Sequence, residues 1–372
     1  MRILALEPYY DGSHKAFIDG WSDRSLHEFT LLTLPARKWK WRMRHSAITF
    51  ADDLNKRIAE GEAWDLLFCS SMLNLAEFFG LANETIRGLP SVLYFHENQL
   101  TYPDPHRKER DMHFVLTNVT SALAATEVWF NSDFHRHSFL TALPSFFNRM
   151  PDYTPRDVAE RIDAKSKVNP QGIHDFGART YTATDRPAIL WAARWENDKN
   201  PELFFEALQT IRGSGLPFRL NVVGQQFERV PDVFSEAREL FADCIDRWGY
   251  QPNRQEYQQA LLESDIFVST ADHEFFGITA AEAMSAGAYP LLPNRLAYPE
   301  LLVSDALPDP ESFLYDNAPG QISLRLTELI RRARSGNLWG DNSLRCRAAV
   351  ARFRWEVVSP LLDSEIARLI RQ

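Results

Sequence analysis

The chain has 372 residues, 45% of them hydrophobic and 24% charged, with 41 Lys+Arg against 50 Asp+Glu. Its 25 Phe, 11 Tyr and 10 Trp supply enough apolar surface to exclude a disordered chain. A net charge of −9 excludes a generic nucleic-acid coat, and no apolar run approaches the roughly 18 residues of a spanning helix. The length predicts two domains, each able to bury its own core. Residues 1–180 are nearly balanced, with 21 Lys+Arg and 23 Asp+Glu, so the first half is the expected place for a polyanionic partner. Cys69, Cys244 and Cys346 are far apart and show no metal-like spacing. The opening residues read as a buried strand rather than a signal peptide, and the expected home is a reducing cytoplasm.

In chain order, strands are expected at Arg2–Glu7, His27–Leu34, Trp64–Ser70, Ser91–His96 and Glu127–Asn131. Helices are expected at Ala47–Gly61 and Met112–Ala125. Short apolar runs bounded by turns and spaced by helical stretches indicate βαβ units and a parallel sheet. The second half repeats the pattern with strands at Ala188–Ala192, Phe218–Val223, Ile266–Ser269 and Tyr289–Leu292, and helices at Pro201–Arg212, Arg254–Glu263 and Phe276–Ala286. Asn169–Pro187 is rich in Gly, Pro and Thr and reads as a linker. The expectation is an α/β protein of two Rossmann-like, doubly wound domains facing a central cleft, residues 1–178 and 186–354, with a last helix at about 355–372 returning to the first. In such sheets ligands sit beyond the carboxyl ends of the strands.

Two loops of the second half carry chemistry. His273-Glu274-Phe275-Phe276-Gly277-Ile278 follows a strand and opens a helix that contains Glu282. If the helix begins at Glu274, both carboxylates lie near one face, and the Phe276–Ile278 amides offer an anion site. Glu274 then suits sugar hydroxyls and Glu282 ribose hydroxyls; a capped amphipathic helix with a solvated Glu is the plain alternative. Upstream, Arg194 and Lys199 lie in a strand-to-helix loop, where two cations can neutralise a diphosphate leaving group.

The first half offers three segments. Gly12-Ser13-His14-Lys15 is a turn before a helix, which lets backbone approach a ligand. Arg37-Lys38-Trp39-Lys40-Trp41-Arg42-Met43-Arg44 places five cations and two Trp in eight residues. Cations meet phosphates and indoles stack on exposed bases, as in recognition of single-stranded RNA loops; a solvated edge or a membrane-surface segment has the same composition. His96, Glu97, Asn98 and Tyr102 cluster at a strand end, with Arg107, Lys108, Arg110 and His113 beyond.

The Arg194 to Lys199 loop, Gly224, Trp248-Gly249-Tyr250 and the Glu274 to Glu282 spacing resemble the carboxy-terminal domain of family 4 glycosyltransferases, retaining enzymes of the GT-B fold that use nucleotide-sugar donors. The resemblance implies Arg194 and Lys199 on the pyrophosphate, Glu274 on the donor sugar and Glu282 on the ribose. Gly12, Ser13, Gly249, Tyr250, Phe275, Phe276, Gly277 and Ile278 are the further donor-binding candidates. Across nearly the whole chain, Gly12–Lys15, Leu34–Trp39, Trp41-Arg42, Tyr94–Leu100, Val230–Glu236 and His273–Gly277 resemble the tRNA-queuosine α-mannosyltransferases. That family is expected to move mannose from GDP-mannose to the queuosine base at the wobble position of tRNA-Asp, without a metal cofactor and without stable membrane association. His96 is then expected near the reaction centre. His14, Lys15, Arg37, Lys38, Trp39, Trp41, Arg42, Arg44, Glu97, Asn98, Tyr102 and Arg110 are the acceptor-side candidates. A family 4 enzyme acting on a lipid or glycan, and a catalytically silent RNA-binding relative, are the competing readings.

Overall fold

Continuous apolar runs make strands that are buried on both faces, the mark of a parallel sheet covered by helices. In the computed structural model, which describes residues 1–102, 112–177, 179, 181–227, 229–316, 318, 320–340 and 342–371, the chain divides into two compact units, 1–172 with 355–372, and 173–354. Arg107, Lys108 and Arg110 lie outside the described residues.

The first unit runs β1 (Arg2–Tyr10), α1 (Gly12–Ser22), β2 (Glu28–Pro35), α2 (Trp39–Ala59), β3 (Leu66–Ser70), α3 (Leu75–Leu81), α4 (Glu84–Arg87), β4 (Ser91–Phe95), α5 (Met112–Ala124), β5 (Glu127–Phe130), α6 (Asp133–Phe147), α7 (Val158–Asp163) and β6 (Ser166–Val168). Its strands are all parallel in the order β2-β1-β3-β4-β5-β6, so the winding reverses beside β1. The β1–β2 register shifts between Glu7 and Tyr10, a bulge that re-aims the strand end.

The second unit continues with β7 (Ala188–Ala192), α8 (Pro201–Gly213), β8 (Arg219–Val223), α9 (Val233–Leu240), β9 (Ile245–Gly249), α10 (Arg254–Leu262), β10 (Ile266–Val268), α11 (Ile278–Ala286), β11 (Tyr289–Pro293), α12 (Tyr298–Leu301), β12 (Leu314–Tyr315), α13 (Gln321–Arg334) and α14 (Arg345–Val350). Its order, β12-β11-β10-β7-β8-β9, places the reversal between β7 and β10. Local signals agree with the elements. The Asn200 side chain caps α8 by accepting from the Leu203 amide, Pro201 fills its first turn, and Glu202 and Arg212 match the helix dipole.

The last helix, α15 (Trp355–Arg371), packs on the first unit. Trp355, Val358, Leu362 and Ile366 join Ile3, Phe17, Trp21, Phe68 and Trp129 in one buried cluster. The Trp355 indole occupies space left by two glycines: a Cβ on Gly20 would lie 2.2 Å from its ring and one on Gly172 would lie 2.1 Å away. Buried Asp363 accepts from Trp21 Nε1 at 2.8 Å, Ser25 Oγ at 2.6 Å and the Leu26 amide at 2.7 Å.

Two helix starts differ from the sequence expectation. The helix α2 begins at Trp39, eight residues before Ala47, because Lys38 turns the chain through the left-handed region (φ 52°). The basic-Trp run is therefore helical rather than a post-strand loop. The helix α11 begins at Ile278, so Glu274 precedes it in the loop, and Glu274 and Glu282 do not share a helix face. Gly277 makes this turn at φ 90°.

Candidate functional site

Both winding reversals carry polar clusters at strand ends, where doubly wound sheets bind ligands. In the second unit the loops after β7 and β10 are tied together. The Asp198 carbonyl accepts from the Asp272 amide at 2.8 Å and the His273 amide at 3.3 Å. Thr270 Oγ1 donates to the Lys199 carbonyl at 2.8 Å and accepts from Trp191 Nε1 at 3.1 Å. Trp195 stacks on Phe234 with ring centroids 4.0 Å apart. Gly224 permits the close approach of β8 to this loop, since a Cβ there would fall 1.6 Å from the Ala193 carbonyl oxygen.

Lys199, expected beside a phosphate, is only 7% exposed. Its Nζ donates to the His273 carbonyl at 2.6 Å and lies 3.2 Å from Asp198 Oδ2 and 3.5 Å from Glu274 Oε2. Arg194 is the more open cation, 3.0 Å from Glu196 Oε2 and 3.9 Å from Asp198 Oδ2. Burial alone would raise the Glu274 carboxyl, but Lys199 and His273 outweigh it and hold it below its ordinary value. Burial, then Lys199, pushes His273 down to about 4. Glu274 Oε1 accepts from its own Phe275 amide at 3.1 Å and from the Phe276 amide at 3.4 Å, so these two amides are engaged rather than open to an anion. The Phe275 and Phe276 side chains are buried. Glu282 is half-buried on α11 and accepts from Tyr257 Oη at 2.8 Å; burial lifts it to about 7 against the pull of Tyr257 and Arg254. Gly249 ends β9, and Tyr250 after it is exposed.

In the first unit, α1 starts after Asp11, whose side chain accepts from the Gly12 amide at 2.8 Å. Gly12 is exposed, the Ser13 carbonyl accepts from Gln171 at 3.3 Å, and Lys15 pairs with Asp19 across the Tyr10 ring. His14 turns inward to Glu7 and His96. Glu97 is half-buried and its Oε1 accepts from Gln99 Nε2 at 3.4 Å; Tyr102 is half-buried at the edge of the described segment. Asn98, expected on the acceptor face, is a turn residue: it is fully buried and its Oδ1 accepts from the Leu100 and Thr101 amides at 3.0 and 2.8 Å.

Helical periodicity separates the two indoles of α2. Trp39 and Met43, four residues apart, face Phe114 and Met72, with Trp39 and Phe114 ring centroids 5.0 Å apart, so Trp39 packs rather than stacks on a ligand. Trp41 points outward, 62% exposed, beside His45. Arg42 donates through Nε to the Pro35 carbonyl at 2.8 Å and sits 2.8 Å from His45 Nε2. Arg44 lies over Phe114, and Arg37 and Lys38 are exposed at the helix start. The resulting surface is cationic, with one open indole.

Glu7, absent from the sequence candidates, is 2% exposed at the bulge in β1. Its only signal is an acidic residue closing a run of four buried apolar residues, Ile3 to Leu6. Donor atoms of Glu7, His14 and His96 lie within 4.8 Å of one another. Both Glu7 oxygens are already engaged, Oε1 by Ser70 Oγ and the Tyr9 amide and Oε2 by His14, so the group is a hydrogen-bonded cluster rather than a ready ligand set.

The two units match two family models: residues 2–173 that of the tRNA-queuosine alpha-mannosyltransferase N-terminal domain, and residues 178–342 that of the group 1 glycosyl transferases. A tRNA-queuosine alpha-mannosyltransferase of Drosophila melanogaster is 36% identical over 317 residues, 82% of each chain. The chain belongs to the tRNA-queuosine alpha-mannosyltransferase family. It is a glycosyltransferase. A GDP-mannose:cellobiosyl-diphosphopolyprenol alpha-mannosyltransferase of Komagataeibacter xylinus is 27% identical over 39% of this chain and 36% of its own length. Among solved structures, the catalytic domain of starch synthase IV from Arabidopsis thaliana superposes with a TM-score of 0.74 at 10% identity, covering 100% of both chains. An Anabaena protein, HepE, in complex with UDP gives 0.67 at 15% identity, covering 99% of this chain and all of that one. These likenesses establish the two-domain GT-B fold. Among the described residues of this family member, no helix is long and apolar enough to cross a membrane.

Proposed function

We propose that this family member transfers mannose from GDP-mannose to the queuosine base at the wobble position of tRNA-Asp, with retention of anomeric configuration and without a metal cofactor. The observation that carries the reading is the match of residues 2–173, the first unit without its last helix, to the family's own amino-terminal model, since that region is the one distinguishing this family from general group 1 enzymes. The bond from the anomeric carbon to the diphosphate oxygen breaks, and the acceptor hydroxyl forms its bond on the same face. The hydroxyl proton passes to the departing phosphate oxygen. Arg194 takes the developing phosphate charge, with Lys199 beside it. Glu274, already ionised, accepts from sugar hydroxyls, and Glu282 accepts from the ribose hydroxyls. In the first unit His96 meets a substrate hydroxyl, and the α2 cations and Trp41 hold the RNA. Three buried free cysteines suit the reducing cytoplasm, where tRNA substrates reside.

The test of donor choice is calorimetric titration of the purified protein with GDP, GDP-mannose and UDP-glucose. The reading expects GDP and GDP-mannose to bind and UDP-glucose to bind at least tenfold more weakly; tighter UDP-glucose binding contradicts it.

A further inference from the structure

The proposed mechanism uses His96 and leaves Glu7 and His14 without a task, although both are buried beside it. Glu7 Oε1 accepts from Ser70 Oγ at 3.0 Å and from the Tyr9 amide at 2.8 Å, so the carboxylate is fixed. Its Oε2 lies 3.1 Å from His14 Nδ1, which fixes the His14 ring in turn. That ring sits with its centroid 4.1 Å from the His96 centroid, tilted by 36°. Two imidazolium rings this close and this buried repel each other, and the carboxylate touches only one of them. His14 is therefore the ring that carries the proton. His96 is also held from behind: its carbonyl accepts from Asn131 Nδ2 at 3.0 Å, and Asn131 Oδ1 lies 2.8 Å from His135 Nδ1. Phe17 and Tyr94 flank its ring. The Nδ1 of His96 is buried and has no hydrogen-bond partner among the described residues.

We propose that Glu7 and His14 are positioning residues for His96: their pairing sets the His14 ring against His96 and keeps His96 a neutral imidazole, the form that can accept a hydrogen bond from a substrate hydroxyl. The proposal rests on the reading of His96 as a hydroxyl contact. The other titratable groups around the pair act in the same sense. Burial opposes charge on His14, but Glu7, with Glu97 behind it, raises His14 above its ordinary value. His96 is driven well below its ordinary value by burial first, then by His14 and by His135 of α6. Tyr94 of β4 and Cys69 of β3 are both pushed up by burial and stay uncharged.

The experiment follows the imidazole nitrogen resonances of the 15N-histidine-labelled full chain from pH 5 to 8, with His96 assigned by its loss in His96→Asn. The native protein should show His96 neutral throughout and His14 charged at pH 7. Glu7→Gln should leave His14 neutral at pH 7, and both Glu7→Gln and His14→Asn should move the His96 titration up by roughly one pH unit, while Glu7→Asp keeps the native order. The acid limb of kcat/KM for transfer should rise with it in the same two variants. A His96 that titrates near its ordinary value in the native chain, or that is unmoved in both variants, overturns the proposal. So does one transition-metal ion per chain that is lost in His14→Asn. The resonances are read without any acceptor, so a native charge order with no transfer from any donor instead overturns the hydroxyl reading.

Discussion

Lys199 Nζ lies 3.5 Å from Glu274 Oε2 and 2.6 Å from the His273 carbonyl, so one buried ammonium holds together the two loops that end β7 and β10. This position gives Lys199 a structural share as well as a chemical one. Lys199→Ala should cost about 2–4 kcal/mol of stability, because buried Asp198 loses the nearer of its two counter-charges and the His273 carbonyl its donor, and should reduce transfer at least 100-fold. Arg194→Ala, at a more open site, should reduce transfer comparably yet leave the thermal midpoint within about 1 °C. Denaturation curves and initial rates on both variants decide it; equal destabilisation by the two would contradict the division of roles.

Glu282 gives a pH signature. Its carboxyl is lifted to about 7 in the folded chain, against an ordinary 4.5. Between those values the folded state holds a proton that the unfolded state has released, so this group's contribution to stability falls as pH rises through that window. Glu282→Gln should therefore flatten the decline in unfolding free energy from pH 5 to 7.5. If Glu282 accepts from ribose, nucleotide binding near pH 6.5 should expel a proton, measurable by calorimetry in buffers of different ionisation enthalpy. Binding without proton release would remove Glu282 from the ribose site.

The two indoles of α2 should separate under mutation. Trp39→Ala removes packing against Phe114 and should lower stability by about 3 kcal/mol. Trp41→Ala should leave stability within about 0.5 kcal/mol and weaken tRNA binding by about 1–3 kcal/mol through lost base stacking. Replacing Arg37, Lys38 and Arg44 together by Ala should reduce the slope of log binding constant against log salt by roughly 2–3. Filter binding across a salt series measures this, and an unchanged slope would place the RNA elsewhere.

The seat of Trp355 predicts a stability defect remote from the chemistry. Gly20→Ala puts a methyl 2.2 Å from the indole and should cost about 1–3 kcal/mol. Asp363→Ala strands the Trp21, Ser25 and Leu26 donors and should cost about 2–3 kcal/mol. Both should appear in chemical denaturation while leaving GDP affinity of the folded protein unchanged.

Nine of the strands were legible as largely apolar runs, and Ala188–Ala192 matches residue for residue, whereas β6, β9 and β12 were not, being two or three residues long or, in β9, broken by Asp246 and Arg247. Helix starts were less legible. Lys38 is not a residue that sequence patterns mark for a left-handed turn, and the cations around Trp39 and Met43 mask the apolar stripe that continues through Ala47 and Phe50. Gly277 does mark such a turn, yet the Glu spacing around it favoured an earlier start. Lys199 and Glu274 stood out as candidates because they bear charge in loops that follow strands, and Glu282 because it lies in the helix that the second of these loops opens. Glu7 did not, because its meaning lies in His14, seven residues away across a bulge and a helix start, and in His96 on another strand. Asn98 erred in the opposite direction, since the same amide that binds ligands also closes turns.

Mannosyl transfer to queuosine in tRNA is met directly by one assay. Purified protein is incubated with queuosine-containing tRNA-Asp and, separately, GDP-mannose, GDP-glucose or UDP-glucose, and the digested nucleosides are read by mass spectrometry. One hexose is expected on queuosine with GDP-mannose alone, and none when the tRNA lacks queuosine or when Glu274 is replaced by Ala. Transfer from another donor, a hexose on unmodified tRNA, or full activity in Glu274→Ala would contradict it.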